Sequence, residues 1–434
     1  MQSDESRPLR VLMLSWEYPP YLIGGLGKHV ADLVPALAHE GVDVTVMTPL
    51  LGDGQEHELI APFVRIVRVP PLPAPGDGFL ANAPGPAFVA EQNIRFVHTA
   101  LQFVEQTGPF DLIHTHDWLT TLSGMTLKQY WHIPLIATIH ATERGRGRGM
   151  IHGEHGHQIE HQEWQLSYEA WRIIVCSAFM QQQIQDYFQV PADKIDIIPN
   201  GVYLPENPFD NVAERQAFRR RFVADDEFMA FFIGRVVYEK GLHVLIDALP
   251  DVLQQVPVRV VIAGRGPSID DLKRQAEALG ISERVHFAGF ISDEDRTRLY
   301  HTADAAVFPS LYEPFGIVAL EASAAGCPVI VARTGGLREV IRSHETGLTV
   351  EPGDTHDLAR ALIMTFQNQD WARALTINAI NDIQTRYNWP EIARQTMMTY
   401  KTVFRAWMMS DWRFEGTWTQ ASASSKRSLL SLVS

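Results

Sequence analysis

Cysteine is nearly absent. The 434-residue chain holds two, Cys176 and Cys327, far apart and each among apolar neighbours. That excludes a disulfide-stapled module and points to buried thiols in a reducing compartment. No apolar run approaches the ~18–20 residues that span a bilayer. The opening MQSDESRPLR is polar and lacks the charged-then-apolar profile of a secretory signal, so a cytoplasmic protein without a transmembrane segment is expected. Basic charge is also short: Lys and Arg number 37 against 51 Asp and Glu, a formal net charge of −14. Wrapping nucleic acid needs a basic surface that neutralises phosphate, so no nucleic-acid partner is expected. With 46% hydrophobic and 20% charged residues, global disorder is excluded too.

What the chain has in quantity is alternation. Apolar, β-branched runs at 11–14, 42–47, 111–115, 135–139, 172–176 and 195–198 read as buried strands. Helix-length segments at 27–40, 87–106, 118–130 and 158–170 lie between them. After Pro199-Asn200-Gly201 a second series begins, with strands at 229–233, 258–263, 285–287, 305–308 and 328–332. Its helices are expected at 242–255, 269–279, 293–302, 316–325 and 336–343. Strands alternating with helices predict an α/β protein with two doubly wound, Rossmann-like parallel sheets. The domains are expected at 1–199 and 200–388, joined by a turn-rich linker near 200–206. A stretch at 70–86, rich in Pro, Gly and Ala, is expected to be a long surface loop, and 411–434 a flexible tail. Ligands of such sheets bind at the carboxyl ends of strands, and two facing domains would make a cleft.

Three elements carry chemistry. Gly24-Gly25-Leu26-Gly27 follows the first strand and opens a helix, where bare backbone and a helix N-terminus favour a phosphate or sugar. A tight strand-to-helix turn would give the same residues. The spacing does not fit a dinucleotide fingerprint, and no acidic residue closes the second strand (Met47-Thr48-Pro49). In the second domain, Gly234-Arg235 precedes Glu239-Lys240-Gly241; two cations five positions apart can clamp a diphosphate, or form a solvated surface pair. Finally, Glu313 and Glu321 flank Pro314-Phe315-Gly316, a turn that starts a helix. The first carboxylate can reach a sugar hydroxyl and the second can hold a ribose, while the N–H groups near Gly316 and Ile317 can receive phosphate.

Taken together, these motifs resemble those of retaining GT-B glycosyltransferases of family 4. The E-x7-E element, the GR-x4-KG element and the GG loop occur in the expected order, and the likeness spans from Val11 to about Arg405. Ser15-Trp16-Glu17-Tyr18-Pro19-Pro20, His114-Thr115-His116-Asp117-Trp118 and Thr138-Ile139-His140-Ala141-Thr142-Glu143 resemble bacterial glycogen-synthase-like α-glucosyltransferases. The resemblance implies transfer of a hexose, glucose first, from ADP- or UDP-glucose to an acceptor hydroxyl of an α-1,4-glucan. A lipid or small-molecule acceptor is the alternative, and a sugar-nucleotide epimerase is a further rival.

It also implies roles. Arg235 and Lys240 stabilise the departing diphosphate. Glu321 binds the ribose. Glu313 contacts the sugar near its 3- and 4-hydroxyls, His140 its 6-hydroxyl, and Asp117 lies near the reacting sugar. Gly24, Gly25, Gly316 and Ile317 face phosphate. No metal and no cofactor beyond the donor substrate is expected, since the cations and a helix N-terminus answer the leaving charge. A C-terminal helix at 389–410 is expected to cross back to the first domain. Starch and glycogen synthases of the neighbouring family carry Lys-Thr before their Gly-Gly, where this chain has Leu22-Ile23, so ADP-versus-UDP selection stays open.

One further cluster is discounted for metal, and one reads as a lid. His152, His155, His157 and His161 are irregularly spaced and read as an exposed loop and helix edge. Arg144, Arg146 and Arg148 alternate with glycine and read as a mobile basic lid. His116, at a strand end, is either a cleft residue or a satisfied backbone partner.

Overall fold

The computed structural model describes residues 7–71 and 84–413. Most of the loop expected at 70–86, and the tail from 414 on, lie outside these residues. The chain divides into two compact units. The first comprises the chain up to Val175, Ile184–Asp196 and everything from Ala393. The second comprises Cys176–Gln183 and Ile197–Ile392.

Among the described residues the first unit is built on eight strands: β1 (Arg10–Leu14), β2 (Asp43–Pro49), β3 (His57–Ala61), β4 (Val64–Val69), β5 (Leu112–His116), β6 (Leu135–Ile139), β7 (Arg172–Val175) and β8 (Ile195–Ile197). Their order is β3-β4-β2-β1-β5-β6-β7-β8. β1 and β6 are mostly apolar and β5 adds His114, Thr115 and His116 to Leu112 and Ile113; all three are buried almost throughout, as strands covered on both faces must be. The helix Gly25–His39 lays Val30, Leu33, Val34 and Leu37 against the sheet, the three-and-four spacing of an amphipathic face. One edge departs from the all-parallel expectation: β3 runs antiparallel to β4. β3 is mostly exposed, so it carries no apolar run that would mark it in the sequence.

The second unit has six strands, β9 (Phe228–Ile233), β10 (Val258–Ala263), β11 (Val285–Gly289), β12 (Ala305–Phe308), β13 (Val329–Ala332) and β14 (Leu348–Val350), in the order β11-β10-β9-β12-β13-β14. Every pair in it is parallel. One feature differs from the expected domain limits. Residues 176–183 go with the second unit, because Ser177 Oγ donates to the Pro314 carbonyl at 2.7 Å and the Ala178 and Phe179 N–H groups donate to Glu339. The C-terminal helix Trp389–Met408 joins the first unit from Ala393. There the Tyr400 hydroxyl meets His114 Nδ1 at 2.7 Å, and Trp407 Nε1 donates to the His132 carbonyl at 2.7 Å. Ala393, Tyr400 and Val403 are buried, which accounts for the helix's apolar load.

In both units the chain winds outward from one strand, then returns to its other side. The reversals fall between β1 and β5 and between β9 and β12. Such switch points open a crevice at the carboxyl ends of the strands. The sequence motifs follow β1, β5, β9 and β12, so the topology delivers them to the two switch points. Among the described residues no helix is long and apolar enough to cross a membrane. Cys176 and Cys327 are buried and form no disulfide, and burial pushes the Cys327 thiol up.

Candidate functional site

In the second unit, β9 ends at Gly234-Arg235 and a single 3-10 turn, Tyr238–Lys240, leads through Gly241 into the helix Leu242–Leu253. Gly241 has φ +69, and a Cβ there would lie 1.9 Å from the Pro309 carbonyl oxygen. Only glycine permits this approach. It locks the Lys240 turn onto the loop after β12, where the Leu311 and Tyr312 N–H groups donate to the Glu239 carbonyl. Lys240 Nζ consequently meets Glu313 Oε2 at 2.6 Å, with both side chains mostly buried. Ser310 Oγ donates to the same oxygen at 3.4 Å.

Arg235 stays half-exposed, with Glu239 at 3.5 Å. Gly316, at φ +104, precedes the helix Ile317–Ala324, which has no side-chain cap. The first N–H groups of a helix lack intrahelical acceptors, so this end suits an anion. Glu321, in the second turn, has Oε2 3.8 Å from Arg296 Nε and lies near Tyr300, whose hydroxyl donates to the Val318 carbonyl at 3.3 Å. The two carboxylates of the E-x7-E spacing thus occupy different surroundings, one against lysine and one against arginine and tyrosine.

In the first unit, the glycine loop differs from expectation. Glu17 Oε2 accepts the Ile23 N–H at 2.8 Å and the Gly24 N–H at 3.0 Å. The Gly24 N–H assigned to phosphate is therefore taken by a carboxylate of the protein itself. Desolvation raises the Glu17 carboxyl, and these N–H groups oppose the rise. A Cβ at Gly27 would come within 2.8 Å of Glu17 and Leu22, so glycine there makes room for the carboxylate. Glu17 was visible in the sequence only as part of a motif, with nothing to show that it caps the loop.

Asp117 follows β5 with φ +55, uncommon for a residue with a side chain. The conformation turns its carboxylate back, and Oδ1 accepts the His140 N–H at 2.7 Å. Burial pushes the Asp117 carboxyl up to about 6, with Arg146 and the N–H groups of His140 and Ala141 opposing. His140 follows β6, and its Nε2 meets His116 Nδ1 at 3.1 Å. His114, two residues before His116 on the same strand face, bonds Tyr400 through Nδ1 and Thr138 Oγ1 through Nε2. Desolvation holds the His140 imidazole down at about 4 and that of His114 at about 3, so both are neutral at pH 7. His116 is pushed down likewise.

The Arg-Gly stretch expected to be a mobile lid is instead pinned. Glu143–Arg146 forms a short helix whose Gly145 N–H donates to Thr142 Oγ1 at 3.0 Å. Both carboxyl oxygens of Glu163 accept the Glu143 N–H, and Arg144 pairs with Glu160. These anchors come from the Gly153–Glu169 helix, which the sequence alone did not bring against the Arg-Gly run. Of the His-rich run, His152, His157 and His161 are exposed and His155 is half-buried against Trp118. The histidines that do converge are His29, His116 and His140, a set the sequence did not single out.

Two doubly wound sheets, with cation, carboxylate and imidazole groups at their switch points, define an enzyme of the glycosyltransferase class. The profile of Glycosyltransferase Family 4 matches residues 23–204, and that of Glycosyl transferases group 1 matches residues 214–382. An uncharacterized glycosyltransferase of Methanocaldococcus jannaschii is 36% identical over 400 residues, covering 91% of this chain and 98% of its own. A glycogen synthase of Mycobacterium tuberculosis is 34% identical over 399 residues, covering 90% and 94%. Among solved structures, sucrose-phosphate synthase from Thermosynechococcus elongatus superposes with a TM-score of 0.76 at 26% identity, covering 92% of this chain and all of that one. The chain belongs to the GT-B glycosyltransferases, in family 4.

Proposed function

We propose that the protein is a retaining glucosyltransferase that moves glucose from ADP- or UDP-glucose to a hydroxyl of an α-1,4-glucan. The Lys240–Glu313 pair carries this reading. It sets a cation and a carboxylate side by side at the loop that leads into the uncapped helix Ile317–Ala324. The 34% identity to a glycogen synthase across 90% of the chain supports glucan as the acceptor.

In the proposed reaction the bond from the anomeric carbon to the phosphate oxygen breaks. Negative charge grows on the diphosphate, and Arg235, Lys240 and the N–H groups at Gly316 and Ile317 stabilise it. Glu313 aligns Lys240 and receives the sugar hydroxyls, while Glu321 holds the ribose. His140 supports the 6-hydroxyl as a neutral imidazole. Asp117 is a positioning group, because its carboxylate holds the His140 backbone. The acceptor hydroxyl attacks on the face the phosphate leaves, and its proton passes to the departing phosphate oxygen. Charge is balanced by protein groups, so turnover needs no divalent metal.

The test is nucleoside diphosphate release from ADP-, UDP- and GDP-sugars, with and without maltooligosaccharide and with chelator. Release from ADP- or UDP-glucose that rises with maltooligosaccharide and ignores chelator supports the proposal. Release that depends on a lipid extract or a small sugar phosphate moves the acceptor to the alternative class.

A further inference from the structure

His29, His116 and His140 come from a helix and from the ends of two neighbouring strands, and their rings gather in the first unit. Ring centroids are 4.8 Å apart for His29 and His140, 5.4 Å for His116 and His140, and 5.6 Å for His29 and His116. One nitrogen from each ring lies within 4.8 Å of the others. A tetrahedral zinc with nitrogens at about 2.0–2.1 Å spaces them roughly 3.3–3.4 Å apart and the ring centroids roughly 5 Å apart. The centroids already match that spacing. The nitrogens reach it by rotation about χ2, a broad torsion for histidine.

We infer that His29, His116 and His140 form a binding site for a divalent transition-metal ion, zinc above all, with the fourth position open. Three imidazoles with a fourth position left for solvent are a donor set that suits zinc. His116 Nε2 is buried and has no hydrogen-bond partner among the described residues, so it can carry this ring's proton without giving up another bond. Its other nitrogen shares a single proton with His140. When the ion binds His116 Nδ1 and His140 Nε2, that proton moves to the far nitrogen of whichever ring carried it, and none is released. The Asp117 carboxylate, on the His140 N–H, supplies negative charge beside the ion. His140 is only half-buried, which opens a path for entry.

Occupancy takes His140 away from substrate, so the site acts as a brake on transfer. This last consequence rests on the proposed role of His140; metal binding itself does not.

The experiment uses the full chain, freed of metal by chelator and titrated with Co2+ and then Zn2+. The expected result is one equivalent of Co2+ with the intense visible bands of a tetrahedral site, displaced by Zn2+. His116→Ala and His29→Gln should each weaken binding by at least the roughly 100-fold that loss of a mere supporting group costs a metal site. His157→Ala with His161→Ala should leave it unchanged. Circular dichroism and the melting temperature establish that each variant is folded. No Co2+ spectrum in the native chain overturns the inference. So does a spectrum that survives in folded His116→Ala or His29→Gln, or one that disappears in the His157/His161 variant. Because the readout is spectroscopic, it stands whether or not the glucan reading holds.

Discussion

Lys240 and Glu313 lie 73 residues apart in sequence and 2.6 Å apart in space, the nitrogen of one against an oxygen of the other. Gly241 makes the pairing possible by letting the loop after β12 close onto the turn after β9. The pair holds the lysine in one position before any substrate arrives, and preorganised charge is what stabilises a leaving group.

Removing that lysine tests its role. Lys240→Met is expected to lower kcat/KM by on the order of 100- to 1,000-fold, the effect of losing one preorganised donor. Glu313→Gln should be similarly impaired, and the double variant should fall little further, because the two act as a unit. Steady-state kinetics with ADP- and UDP-glucose measure this. Additive losses would mean that the residues act independently.

Glu321→Ala is expected to weaken binding of the donor nucleotide by about tenfold, the loss of roughly one hydrogen bond to a charged group. Its effect should appear in KM for the donor and in calorimetric binding of ADP or UDP. Unchanged affinity would remove Glu321 from the ribose site.

Asp117 holds His140 from a positive-φ backbone, so its two variants should separate. Asparagine tolerates positive φ and keeps an oxygen for the His140 N–H. Asp117→Asn should therefore remain close to native in melting temperature. Asp117→Ala loses the bond and strains the backbone, and a destabilisation of about 2 kcal/mol is expected. Equal melting temperatures for the two would show that the His140 contact contributes nothing.

Much of the frame was legible in the sequence. β6, β10 and β12 match the expected runs 135–139, 258–263 and 305–308 residue for residue, because each is an apolar stretch, interrupted only by Thr138 in β6 and Arg259 in β10, that polar or turn-forming residues end. β3, β4 and β14 were not legible: β3 is exposed, Arg65 and Arg68 interrupt the apolar residues of β4, and β14 is three residues long with Thr349 at its centre. Glycine, lysine and glutamate motifs marked the second-unit groups, and short spacings sufficed to find them. The Glu17 cap, the Glu163 anchor and the three-histidine cluster depend on side chains that only the finished fold brings together. Periodicity says which face of an element is buried, but not which polar group meets it there.

Glu163 makes stability depend on pH. Burial pushes its carboxyl up to about 8, with Arg146 and the Glu143 N–H opposing. Between the ordinary glutamate value of about 4.3 and that raised value, the unfolded chain gives up a proton that the folded protein keeps. Stability therefore falls as pH rises through this window. Glu163→Gln removes the titration and can still accept the Glu143 N–H. Relative to the native chain, it should gain a few kcal/mol in urea unfolding between pH 5 and pH 8. A parallel pH dependence of the two proteins would show that Glu163 titrates normally.

The most direct test of glucosyl transfer with retention is proton NMR of the product formed from ADP- or UDP-glucose and a maltooligosaccharide. The proposal predicts a lengthened chain whose new anomeric signal is that of an α-1,4 linkage from the first turnovers onward. A β-linked product, or a maltooligosaccharide that stays unextended while the donor is consumed on another acceptor, would contradict it.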